Sequence, residues 1–166
     1  HCFGCGESGD VIRFLELLEN KPFIEVIHDL AARCGLELSA SEADLQIAHK
    51  TRTLNDIRSA AARHYAARMP ADVKAHLTSD RKFTDETISR FMIGYADGHL
   101  RHHLIDEMHL DPELCVEAGV LTKHEGSYRD FFYQRIIFPV ISRGQIVNLT
   151  GRARGTQPPK YLHLPG

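Results

Sequence analysis

The amino-acid sequence predicts an α+β fold: a short metal-ligand motif with helices, a long linking helix, then a mixed α/β region. Three observations carry this expectation. Cys2 and Cys5 form a Cys-x-x-Cys pair at metal-ligand spacing. Apolar residues recur at helical intervals as far as Tyr65. From about Gln134 the pattern turns to β-like runs interrupted by Arg143-Gly144. The expected blocks are residues 1–38, 39–70 and 71–166.

In the first block Asp10 is placed to cap a helix whose face carries Val11, Phe14, Leu15 and Leu18. Pro22 suits the first turn of a second helix, with Phe23, Ile27, Leu30 and Cys34 as its apolar stripe and Gly35 as its stop. Cys34 is therefore expected in the core. The linking helix runs from about Ser41 to Met69, where Pro70 closes it. Ser41 and Asp44 have capping-box spacing, and Leu54, Ile57, Ala61 and Tyr65 form the stripe. At 1.5 Å per residue such a helix is about 42 Å long.

In the third block Thr84 should cap a short helix reaching Phe91, and Met92-Ile-Gly-Tyr-Ala96 reads as an extended exit. A helix near Leu100–Met108 follows, and Pro112 opens another that stops at Gly119. Gln134–Ile141 and Gln145–Thr150 are expected as a hairpin, and 151–166 as a turn-rich tail.

Composition is that of an ordinary globular chain, with no apolar run near the roughly 20 residues of a membrane helix. The first residue is His1, so the chain is read as lacking its natural start. Four cysteines without secretory features point to a reducing cytoplasm. Formal net charge is −2, yet six basic residues and one acidic residue, Asp130, lie between Arg129 and Lys160. A locally basic end suits phosphate binding, though a solvated basic face gives the same pattern.

A Cys-x-x-Cys turn presents two thiolates to one metal ion, and structural zinc wants four ligands. Half a zinc ribbon, an unliganded turn and a redox dithiol all remain open on spacing alone. His99, His102, His103 and His109 are not forced onto one face, so they are not read as a metal cluster. Phe131, Phe132, Tyr133 and Phe138 are expected to build core.

Several segments, taken in order, resemble one family. His1-Cys-Phe-Gly-Cys-Gly-Glu-Ser-Gly-Asp10 is similar to the second half of the zinc ribbon of the bacterial-type DNA primases, the DnaG family. Phe83–Asp97 resembles the opening of that family's polymerase core. Arg135-Ile-Ile-Phe-Pro-Val-Ile141, Leu149-Thr-Gly-Arg152 and Pro158-Pro-Lys-Tyr-Leu162 resemble three motifs of its amino-terminal half. The resemblance covers nearly the whole chain and is weakest over residues 37–82.

The resemblance implies Cys2 and Cys5 as ligands of a structural zinc, with a further Cys-x-x-His pair upstream. It implies Arg90, Arg135, Arg152 and Lys160 as nucleic-acid contacts. Arg154 and Arg143 are added from their positions, although exposed arginines are more often simply solvated, and Tyr161 is added as a ring that either stacks on a base or builds core. Arg152 follows Gly151, where backbone can approach a strand closely. Two departures stand out. Leu149-Thr150-Gly151-Arg152 replaces the usual Phe-Gly-Gly-Arg, and His163 stands where Asn is common.

Implied partners are single-stranded DNA template, an RNA–DNA hybrid and, through a domain outside this chain, the replicative helicase. No membrane is implied. Primer synthesis needs Mg or Mn held by clustered carboxylates. The family places these in a TOPRIM module that follows the Pro-Lys-Tyr-Leu motif, so no catalytic residue is expected here. The first expectation is a cytoplasmic DNA-directed RNA polymerase of which this chain is the template-holding part. The alternative is a stand-alone single-strand-binding module without polymerase activity.

Overall fold

The computed structural model describes residues 9–19, 21–38, 41–142 and 144–165. Cys2, Cys5 and Arg143 therefore lie outside the described residues. The chain divides into two compact units, His1–Arg52 and Thr53–Gly166, and each is described by itself.

In the first unit, Asp10 Oδ1 accepts from the backbone N–H groups of Ile12 and Arg13, and α1 (Val11–Glu19) follows. Pro22 is the N-cap residue of α2 (Phe23–Arg33). Gly35, at φ +64°, ends α2. The Leu36 N–H reaches the Ala31 carbonyl at 2.9 Å and the Gly35 N–H reaches that of Ala32 at 3.2 Å, the Schellman pattern. Then α3 (Glu42–Ala67) begins with the expected reciprocal cap: Asp44 N–H donates to Ser41 Oγ at 3.2 Å and Ser41 N–H to Asp44 Oδ2 at 3.0 Å. Arg52 of α3 ties back to α1, donating at 2.9 Å to both Asp10 and Glu16. The Phe23 ring stacks on His49 at 5.1 Å and has the Arg52 guanidinium 5.5 Å from its centroid.

One expectation for this unit is corrected. Cys34 is exposed. It has the right period for the α2 stripe but occupies the C-cap, where the helix has ended, and the buried residues of α2 are Phe23, Val26 and Ala31. The α1 face is also exposed, with Val11 at 65 % and Leu18 at 67 %.

In the second unit the rest of α3 buries Ile57, Ala61 and Tyr65, as its stripe predicts. Pro70 caps α4 (Ala71–Ala75), which runs into a π-helical turn at His76–Asp80. Thr84 caps α5 (Asp85–Arg90), its hydroxyl accepting from Thr87 N–H. β1 (Gly94–Ala96) is the extended exit. A helical turn from Leu100 winds as a π-helix over His102–Glu107, and α6 (Pro112–Glu117) is capped by Asp111. The small hairpin of β2 (Leu121–His124) and β3 (Ser127–Asp130) was not expected from sequence. β4 (Arg135–Ser142) and β5 (Gln145–Ala153) form the anticipated hairpin, and β6 (Tyr161–His163) lies in what was read as a turn-rich tail.

β1, β4, β5 and β6 make one antiparallel sheet in the order β1-β4-β5-β6. Strand alternation sends successive residues to opposite faces. Ala96, Ile137 and Leu149 join the main core with Tyr65, Leu100, Leu104, Cys115 and Phe132. On the other face Ile136 packs with Val73, Leu77, Ile88 and Ile93, bordered by Tyr95 and Phe138. Phe132 is fully buried in the main core with Phe131 packed against it, and Phe138 borders the core on the other face, but Tyr133 is 55 % exposed, correcting the core expectation. Its ring lies over Gly98 instead.

Candidate nucleic-acid interface

The register of the sheet decides which basic residues meet. Tyr95 pairs with Ile136, Ile136 with Arg152, and Arg152 with Tyr161. Directly paired residues share a face, so these four side chains form one row across the strands. The next row holds Phe138, Thr150 and His163. Ile136 closes the α4–α5 core. The Arg152–Tyr161 end of its row lies toward the free edge of the sheet, where Tyr161 is half exposed.

Lys160 stands beside this row with its Nζ 5.9 Å from the Tyr161 ring centroid. Arg154 follows β5, and its Nη1 donates to Asp72 Oδ2 of α4 at 2.7 Å. A polar cleft of about 420 Å³ opens here, lined by Tyr95, Gln134, Arg154, Gly155, Thr156 and Gln157. Arg152, Arg154 and Tyr161 thus share one face, and Lys160, whose backbone lies opposite Ala153, borders this strip through its approach to the Tyr161 ring. Arg90 belongs to a different element, exposed at the end of α5 with its guanidinium 5.8 Å from the Phe91 ring.

Arg135 lies on the opposite face. It is 3 % exposed, and its Nη1 donates to the carbonyl of Pro159 at 2.8 Å and approaches that of Gly151 at 3.5 Å. Strand alternation, which puts Arg152 on one face, puts residues paired with Ala153 on the other, and Arg135 pairs with Ala153. Gly151 also has an inward role: a Cβ there would sit 2.6 Å from Phe132 Cδ1 and 3.0 Å from Arg135 Cδ. The glycine makes room for the core, which differs from the close approach of nucleic acid that its neighbourhood suggested.

The two departures from the family pattern turn out to be partners. Thr150 and His163 are paired across β5 and β6, and Thr150 Oγ1 lies 3.0 Å from His163 Nδ1. Sequence reasoning also missed Asp72 and Tyr95, because their relation to the basic residues exists only through the sheet register and the placement of α4.

Elsewhere in this unit His64 of α3 stacks on His103, with ring centroids 4.5 Å apart. Burial, and then the neighbouring His103, push the His64 imidazole down to about 4. His102 and His103 each face an acid one turn on, Asp106 at 2.8 Å and Glu107 at 2.6 Å. Asp130 accepts from the backbone N–H groups of Leu100 and Arg101 at 2.9 and 2.6 Å, and burial holds its carboxyl above the usual range. Among the described residues no group of three or more His, Cys, Asp or Glu side chains is arranged to hold a metal ion. No helix among them is long and apolar enough to cross a membrane.

The family model described as DNA primase catalytic core, N-terminal domain, matches residues 62–165, and the model described as CHC2 zinc finger matches residues 1–46. A DNA primase of Geobacillus stearothermophilus is 33 % identical over 178 aligned residues, covering 99 % of this chain and 30 % of that protein. The zinc-binding and RNA polymerase domains of the Aquifex aeolicus primase superpose with a TM-score of 0.63 at 26 % identity, over 99 % of this chain and 41 % of that one. A DnaG primase catalytic domain bound to single-stranded DNA superposes with a TM-score of 0.60 at 28 % identity, over 72 % and 41 % of the two chains. The chain thus spans about 30 % of the length of the curated relative it matches.

Proposed function

This chain belongs to the family of the DNA primase catalytic core, N-terminal domain, and from that premise we propose that it holds single-stranded template and RNA–DNA hybrid in an enzyme that synthesises RNA primers. The observation that carries the reading is the strip of Arg152, Arg154, Lys160 and Tyr161 on one edge of the sheet. A primase must grip strands without depending on most of their sequence. Cationic side chains on phosphates and an aromatic face for a base do that. Arg90 is an outlying contact of the same set. Arg135 acts behind the strip, bracing the segment that carries Lys160.

Residues 1–38 form the end of a zinc-binding domain, 39–70 a helical linker and 71–166 the amino-terminal subdomain of the polymerase core. The CHC2 zinc finger match supports a structural zinc. Cys2 and Cys5 supply two thiolates of its four-ligand set, and the second pair belongs upstream of them. The divalent Mg or Mn chemistry belongs to the TOPRIM module of the longer protein, as does contact with the replicative helicase to a further domain, and the cytoplasm is the expected site of action. The resemblance of the chain to primases over both its parts favours this reading over a stand-alone binding module.

The test is binding of this chain to a short fluorescent single-stranded oligonucleotide across a salt series. An Arg152→Ala, Lys160→Ala variant should bind more weakly, with its log–log salt slope reduced by about 0.7 per lost contact. Equal affinity and equal slope for variant and parent would remove the proposed strip.

A further inference from the structure

Arg154 already has an anion. Its Nη1 donates to Asp72 Oδ2 at 2.7 Å, across 82 residues of sequence, and both side chains reach solvent, at 39 % and 67 % exposure. Arg154 also lines the polar cleft, together with Tyr95, Gln134, Thr156 and Gln157. Arg154 is two residues beyond Arg152, and the Arg152–Tyr161 pair ends the neighbouring row. A carboxylate oxygen and a phosphate oxygen make the same charge-assisted bond to a guanidinium. The contact is solvated, so it is weak enough to exchange.

We propose that Asp72 is an intramolecular stand-in for a nucleic-acid phosphate: it holds Arg154 over the cleft in the free protein and yields it to a backbone phosphate when a strand lies along the strip. This rests on the proposed template-holding function. The hydrogen bond to Arg154 keeps the Asp72 carboxyl below its usual range, so Asp72 stays ionised and competes for Arg154 near neutral pH. Asp72 thereby sets how much of the basic strip is available, and places the Arg154 side chain before a strand arrives.

The experiment compares parent, Asp72→Asn, Arg154→Ala and the double variant of this chain, titrated with a single-stranded oligonucleotide across a salt series. Both substitutions are at exposed positions, and thermal midpoints verify that each variant folds. Removing the competing charge should tighten binding about two- to five-fold. It should steepen the salt slope by up to about 0.7. In the Arg154→Ala background the same Asp72→Asn change should do neither. An unchanged affinity in Asp72→Asn, or an equal gain with and without Arg154, overturns the proposal while leaving the template-holding function standing. That function has its own control in Arg152→Ala, Lys160→Ala, whose undiminished binding would overturn both.

Discussion

Arg135 donates from Nη1 to the carbonyl of Pro159 at 2.8 Å, joining the start of β4 to the segment that precedes β6. Next to this bond the Ala153 N–H donates to the Lys160 carbonyl at 2.9 Å, so β5 and β6 meet in register with Lys160 and Tyr161 at the edge. Arg135→Met keeps most of the apolar stem and removes the donors, so the Pro159 carbonyl loses its partly buried charge-assisted hydrogen bond. The expected loss of stability is about 2–3 kcal/mol, read from urea midpoints. Oligonucleotide affinity should fall through misplacement of Lys160, with the salt slope unchanged. A slope reduced by about 0.7 would show that Arg135 touches phosphate itself.

Two glycines in recognisable motifs are required by the core. A methyl group at Gly94 would collide with the backbone of Tyr65 in α3, including Ala66 N at 2.5 Å. At Gly151 it would meet the Phe132 ring and the Arg135 stem, which are side chains and can shift. Gly94→Ala should therefore cost more than Gly151→Ala, about 3 kcal/mol or more against about 1–2 kcal/mol. Gly155, with open space around it, is the control and should tolerate Ala with little change. The order of the three denaturation midpoints is the measurement, and equal losses at Gly94 and Gly155 would contradict it.

These glycines show where the sequence was legible and where it was not. Local chemistry read well: the caps at Asp10, Ser41 and Thr84, the Gly35 stop and the α3 stripe through Tyr65 all depend on residues a few positions apart. Arg152 and Tyr161 were both named from sequence, but their adjacency required the β5–β6 register, which spans an irregular loop. The burial of Arg135 follows from alternation only after the pairing of β4 with β5 is known. Asp72 and Thr150–His163 are relations between distant segments, with no signature in any one window.

Acid should weaken the second unit through His64. Its imidazole is held at about 4 by burial and by the stacked His103, with Asp97, Arg68 and Glu107 also facing it. The unfolded chain takes up that proton near 6.5, before the folded state does. Stability contributed by this group is therefore complete above about pH 6.5, declines as pH falls toward 4, and declines no further below that. The loss is on the order of 2 kcal/mol after allowance for partial solvent access. Asp130, whose carboxyl is raised by burial, works in the opposite direction at the acid end of this window. Urea midpoints of the parent should drop between pH 7 and pH 4.5, and those of His64→Leu should drop less. Parallel profiles for the two proteins would rule His64 out as the source.

Tyr161 offers the means to separate stacking from charge on the proposed strip. Its ring is half exposed, paired across the sheet with Arg152 and flanked by the Lys160 ammonium at 5.9 Å. A base stacked on such a ring contributes about 1–3 kcal/mol, and the contribution does not release counterions. Tyr161→Ala should therefore weaken oligonucleotide binding by roughly 5- to 150-fold at every salt concentration, leaving the slope intact. Tyr161→Phe should bind like the parent, since the π face is retained. Lys160→Ala should instead flatten the slope. Because the ring is exposed, folding stability should change little in either tyrosine variant, so the binding loss cannot be assigned to unfolding. If Tyr161→Ala bound like the parent, the ring would be covering Lys160 and Arg152 without contacting a base, and the strip would be purely electrostatic.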